Sequence, residues 1–147
     1  MKNVVVMGST GSVGIQSLDV ISKNKSHKVV GLSCYSNADI LFEQTKEYLP
    51  NFVAIEVIDS SHNLFNLCKQ NNIKLITGNN ASCNIPFDNL DLAINAIVGT
   101  AGLKPTIELV NNGVDIALSN KESLVLGGHI IMPCLLYTSD AADDCWR

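Results

Sequence analysis

Gly8-Ser9-Thr10-Gly11-Ser12-Val13-Gly14 follows directly on the apolar run Val4-Val5-Val6-Met7 and leads into a segment of helical character. Such a run reads as a buried strand, and three glycines spaced by three read as a tight turn into a helix. Glycine permits the turn and a close backbone approach, while the free N–H groups and dipole of a helix start favour an anion. Together they form a seat for a dinucleotide diphosphate. The spacing is Gly-x-x-Gly-x-x-Gly rather than Gly-x-Gly-x-x-Gly, so a plain strand-to-helix turn that binds nothing stays open as the alternative.

Further strand-like runs at 29–33, 52–57, 74–76, 92–97 and 115–119 alternate with helical segments. The helical stripes read as Val13, Ser17, Val20 and Ile21, then Leu41, Thr45 and Tyr48, then Leu64, Leu67 and Cys68, then Ile107 and Val110. Pro50 ends the second helix, Pro105 sits in the first turn of a later one, and Gly113 stops that helix after Asn111-Asn112. Alternation with right-handed crossovers predicts an α/β fold, a doubly wound parallel sheet of Rossmann-like type, with functional residues in the loops after the strands.

The 147 residues, 46% hydrophobic, suffice for one domain with a genuine core. A formal charge of −4 and the lack of any Lys/Arg cluster argue against nucleic acid and acidic membrane surfaces, leaving small molecules as partners. Five cysteines without a C-x-x-C pair indicate neither a zinc site nor a disulfide framework. No signal region or membrane-length apolar run is found, and the cytoplasm is the expected location.

Three loops carry candidate chemistry. After the second strand, Ser33-Cys34-Tyr35-Ser36-Asn37 offers hydroxyls and an amide where an NAD enzyme usually places an acid on the ribose; this favours a 2′-phosphorylated cofactor, although Ser and Asn are also ordinary turn residues. Small residues in Gly99-Thr100-Ala101-Gly102 permit close approach to a cofactor or form a plain helix start. In Ser119-Asn120-Lys121-Glu122, a lysine suits a substrate phosphate, an amide a carboxamide, and Glu122 a ribose hydroxyl; a capped first turn, with Ser119 or Asn120 as N-cap, is compatible with the same residues.

The glycine turn, Ala96-Ile97-Val98-Gly99-Thr100-Ala101-Gly102-Leu103 and Asn120-Lys121-Glu122-Ser123-Leu124-Val125 together resemble the 1-deoxy-D-xylulose 5-phosphate reductoisomerases, in matching order and spacing as far as about Pro133. The resemblance implies an NADPH-binding domain over 1–133, with Thr10, Gly11, Ser12 and Val13 at the pyrophosphate. Ser36 and Asn37 would meet the adenosine end, Asn120 and Glu122 the nicotinamide half, and Lys121 the substrate. The family often has Gly and a basic residue before the matching asparagine, whereas Tyr35 and Ser36 stand here. The implied reaction rearranges 1-deoxy-D-xylulose 5-phosphate and reduces it with NADPH to 2-C-methyl-D-erythritol 4-phosphate, a step of isoprenoid synthesis, in a bacterial homodimer. The Mg²⁺ or Mn²⁺ of the family is held by an Asp-Ser-Glu motif and a later Glu, hard oxygen donors absent from this chain. The chain therefore reads as truncated before the catalytic domain, without catalytic residues of its own, binding NADPH weakly or not at all and turning nothing over.

Residues 134–147 break the pattern and resemble an adapter or vector read-through; a natural acidic extension is the alternative. Two rival functions share the fold. A dinucleotide-sensing module has no need of Lys121, and a semialdehyde-type dehydrogenase needs a thiolate, for which Cys134 has no neighbouring histidine in the sequence.

Overall fold

The computed structural model describes residues 1–138. Six parallel strands among them form one sheet in the order β4-β3-β2-β1-β5-β6: β1 Lys2–Met7, β2 His27–Cys34, β3 Phe52–Ile55, β4 Lys74–Thr77, β5 Leu92–Asn95 and β6 Asp115–Leu118. The helices are α1 Ser12–Lys23, α2 Ala38–Tyr48, α3 Leu64–Gln70, α4 Leu103–Asn111 and α5 Lys121–Thr138. Val4, Val5, Val6 and Met7 are buried completely, as a central strand covered on both faces requires. Leu18, Leu41 and Leu64 from α1, α2 and α3 pack on one face, and Leu109 of α4 with Ala81 and Ile85 on the other.

The six predicted strands all form, with shifted ends. β1 and β2 begin two residues earlier, at Lys2 and His27, because exposed polar residues extend the ladder through backbone bonds that hydropathy does not register. β3 stops at Ile55 rather than 57, since the Glu56 and Val57 amides both turn to the Tyr35 carbonyl. β5 stops at Asn95 rather than 97, where the Ile97 amide donates instead to Asn95 Oδ1, 3.2 Å away.

Two helical stripes are corrected in phase. On α1 the buried residues are Gly14, Leu18 and Ile21, while Val13 is 43% and Val20 64% exposed. Gly14 must face inward because the helix start lies directly against the glycine turn, and that contact sets the rotation. On α4 the buried residues are Pro105, Thr106 and Leu109 rather than Ile107 and Val110, a rotation fixed by the Thr106 hydroxyl reaching the Gly102 carbonyl at 2.7 Å. Pro50, Pro105 and Gly113 stand where the sequence places helix boundaries: α2 closes on Leu49 just before Pro50, and the Gly113 amide returns to Val110 O.

Met7 pairs with Ser33 on one side and Asn95 on the other, so β1 and β5 end level and β2 runs one residue further. The chain leaves β1 toward β2 and later returns beside β1 as β5, a reversal that opens a crevice at the carboxyl edge. Residues 139–147, most of the expected non-native tail, and the side chain of Cys134 lie outside the described residues. Among those described, no helix is long and apolar enough to cross a membrane.

Candidate dinucleotide site

Each glycine of the opening turn meets a different demand. Gly8 has φ +72°, and a Cβ there would lie 2.7 Å from Ala96 O. Gly14 abuts the backbone of Gly8 and Ser9, leaving no room for a side chain. Gly11 has only Gly8 O at 3.4 Å and faces open space. Gly11 is also the N-cap of α1 and carries no side chain to satisfy the first amides.

The Ser9 amide donates to Ser33 O and that of Gly11 to Gly8 O; among the described residues, the amides of Thr10, Ser12 and Val13 have no protein acceptor. Such donors at a helix start, with the dipole behind them, suit an anionic oxygen. Ser9 itself is turned inward: its hydroxyl donates to Gln44 Oε1 and its carbonyl accepts from Gln44 Nε2, both at 2.8 Å. That reciprocal pair ties the turn to α2, and nothing in the local sequence marks Gln44 for it.

Two clefts flank this helix start. The first, about 310 Å³, runs from Thr10 and Gly11 past Ser33, Cys34 and Tyr35 to Glu56, with Ile97 and Val98 opposite. The second, about 320 Å³, is bounded by Val13, Val98, Asn120, Lys121 and Glu122. Ala96, Ile97 and Val98 border both, so together the clefts follow one path along the sheet edge. Ser33 Oγ, buried without a hydrogen-bond partner, leaves an unanswered polar atom in the wall of the first.

Of the residues singled out in sequence, Thr10, Gly11, Val13, Asn120, Lys121 and Glu122 line these clefts, and Ser12 lies between them on α1. Ser36 and Asn37 are exposed and outside the lining; Asn37 instead caps α2, its Oδ1 accepting from the Ile40 amide at 3.3 Å. Both ends of the Asn120 side chain are engaged: Nδ2 donates to Ile97 O at 2.7 Å and Oδ1 accepts from the Ser123 amide at 2.9 Å, so it is the N-cap of α5. Lys121 at the first position of that helix opposes the dipole, a placement that loses about 0.3–1 kcal/mol and leaves its charge available to the cleft. Glu122 in the same turn is electrostatically favoured.

Glu56 was not visible as a site residue. An acid sought at the end of β2 arrives from the end of β3, and only the strand order brings the two ends side by side. His62 Nε2 lies 3.1 Å from Asp39 Oδ1 and its Nδ1 accepts from the Leu64 amide, a helix-start contact outside both clefts.

Burial disfavours the thiolate of the cysteine in the first cleft. Burial pushes the Cys34 thiol up to about 11, against weaker lowering by hydrogen bonds with the Asn37 backbone and the Thr10 side chain, and burial alone takes Cys68 to about 11. At pH 8 each is therefore about a hundredfold poorer in thiolate than an ordinary cysteine. Iodoacetamide at pH 8 is expected to leave Cys34 and Cys68 unmodified in the native chain and to label both in guanidinium, as read by peptide mass mapping.

A family model described as 1-deoxy-D-xylulose 5-phosphate reductoisomerase matches residues 4–128. The chain belongs to this family. The reductoisomerase of Thermoanaerobacter pseudethanolicus is 41% identical over 133 residues, covering 90% of this chain and 35% of the relative. The reductoisomerase of Zymomonas mobilis, solved with NADPH, superposes with a TM-score of 0.83 at 28% identity, over 93% of this chain and 36% of that one. Another reductoisomerase, solved with NADPH, fosmidomycin and magnesium, gives 0.82 at 26% identity over 94% and 35%. The chain thus spans about a third of the length of the reductoisomerases it matches. No three His, Cys, Asp or Glu side chains converge to hold a metal among the described residues.

Proposed function

We propose that this chain is the NADPH-binding part of a bacterial, cytoplasmic 1-deoxy-D-xylulose 5-phosphate reductoisomerase, with residues 1–133 as the binding domain and 134–147 as a non-native tail. The observation that carries this reading is the row of unpartnered amides at Thr10, Ser12 and Val13, set between two clefts that continue to Lys121. The amides hold the diphosphate, the first cleft takes the adenosine half, and the second takes the nicotinamide half. Ser36 and Asn37 border the adenosine end from outside the lining.

In the whole protein, NADPH supplies the hydride for reduction of the rearranged substrate. Lys121 binds an anionic oxygen of 1-deoxy-D-xylulose 5-phosphate, while Asn120 holds the Ile97 carbonyl and thereby keeps the wall between the clefts in place. Glu122 accepts a ribose hydroxyl. The magnesium or manganese ligands, the catalytic residues and the homodimer contacts belong to the part of the reductoisomerase length that this chain does not span.

Ligand-observed NMR of the purified chain is expected to show weak NADPH binding that inorganic pyrophosphate competes away, with no NADPH oxidation when substrate and Mg²⁺ are added. Absence of binding at millimolar NADPH, or measurable turnover, overturns the reading.

A further inference from the structure

Glu56 is the acid in the first cleft that the proposed function leaves without a role. It follows β3 directly, is half-buried, and among the described residues its carboxylate has neither an ion-pair nor a hydrogen-bond partner. Its backbone is held firmly, since the amides of Glu56 and Val57 both donate to the Tyr35 carbonyl, at 3.1 and 2.8 Å. Glu56 is therefore a lining residue on a fixed backbone, and its carboxylate is an acceptor with no donor among the described residues.

The order of strand ends decides what reaches it. β1 carries the amide row, β2 lies next to it, and β3 follows, so Glu56 stands two strand spacings, roughly 10 Å, from the diphosphate seat. The ribose of a nucleotide anchored at the amides lies over the end of β2, and the base extends onward to β3. One wall there suits a flat ring: Tyr35, 68% exposed on the β2 side, lines the same cleft as Glu56 and offers an aromatic face next to it. A planar base stacked on that face has its polar edge free to meet the Glu56 carboxylate.

We infer that Glu56 reads the base: its carboxylate accepts a hydrogen bond from the exocyclic amine of adenine, and it selects a 6-aminopurine over a 6-oxopurine. The inference rests on the dinucleotide reading above. A 6-oxo base turns a carbonyl lone pair toward the carboxylate, so an attraction becomes a repulsion. Glu56→Gln removes that distinction, because the amide offers oxygen to an amine or N–H₂ to a carbonyl.

The test measures dissociation constants by ligand-observed NMR for NADPH, for its deamino analogue carrying hypoxanthine, and for NADH, with the native chain and with Glu56→Gln. The expected result is that the native chain prefers NADPH to the deamino analogue by about tenfold. In Glu56→Gln that ratio falls to near one while the NADPH/NADH ratio stays unchanged. Equal binding of NADPH and its deamino analogue by the native chain overturns the inference and leaves the dinucleotide reading standing. A Glu56→Gln effect confined to the NADPH/NADH ratio also overturns it, placing the carboxylate at the ribose 2′ position. Failure of the native chain to bind any of the three overturns both. The native comparison needs no variant, so a misfolded Glu56→Gln does not remove the test.

Discussion

Gly14→Ala is expected to abolish detectable NADPH binding and to lower the melting temperature by roughly 5–10 °C, corresponding to about 1–3 kcal/mol of overpacking. Alanine in a helix is intrinsically better than glycine by about 1 kcal/mol, so a gain would follow if the site were open. It is not open: the added methyl would overlap Gly8 O and lie 2.6 Å from Ser9 Cα, and both obstacles are backbone rather than side chains that can rotate away. The start of α1 must then withdraw, carrying the Ser12 and Val13 amides away from the position where three donors converge. Gly11→Ala is the control. Its φ of −81° suits any residue and its Cβ would have only Gly8 O at 3.4 Å, so the melting temperature should hold while NADPH binding weakens, because the methyl adds bulk at the proposed diphosphate seat. Thermal unfolding and NADPH titration on the two variants separate stability from ligand access.

Asn95→Leu is expected to be the most damaging change outside the glycine turn, at about 2–4 kcal/mol, with loss of both clefts. Asn95 is wholly buried, and its Nδ2 reaches Gly102 O at 3.1 Å and Thr106 Oγ1 at 2.8 Å while Oδ1 accepts from the Ile97 amide. Leucine matches the size but leaves those groups without partners, and each buried unsatisfied group costs about 1–3 kcal/mol. Thr106 still serves Gly102 O at 2.7 Å, which keeps the total below the simple sum. The freed Ile97 segment is the wall shared by the two clefts, so binding fails along with stability. Asn95→Asp gives a sharper signature. A carboxylate facing the Gly102 carbonyl favours its protonated form in the folded state, so its folded pKa rises above the unfolded value of about 4. The variant is then most stable at low pH and loses stability as pH rises through about 4 toward the raised folded value, a dependence that urea denaturation at pH 4 and pH 7 measures.

Much of the site was legible because it depends on local chain chemistry. Glycines at 8, 11 and 14 after an apolar run specify a turn whose backbone faces outward, and Asn120 before Lys121 and Glu122 specifies a capped helix start, whichever tertiary partners are present. The strand count followed from hydropathy for the same reason. The helix phases of α1 and α4 did not: Val13 and Val20 look like core residues, yet the fit of Gly14 against Ser9 and the Thr106 bond to Gly102 O set the rotation. Asn37 reads as a ligand contact in its loop, and that its side chain also caps α2 shows only in the structure, where its Oδ1 meets the Ile40 amide.

By itself the sequence determined which segments are strands, where the glycine turn lies and which family the chain resembles, since periodicity, glycine spacing and motif order are properties of neighbouring residues. The tertiary structure alone decided that Glu56 shares a cleft with Tyr35, that Gln44 anchors Ser9 across 35 positions, and that Asn120 braces Ile97. The physical reason is the strand order: a parallel sheet gathers the carboxyl ends of distant segments at one edge, and those neighbours exist only after β5 has returned beside β1.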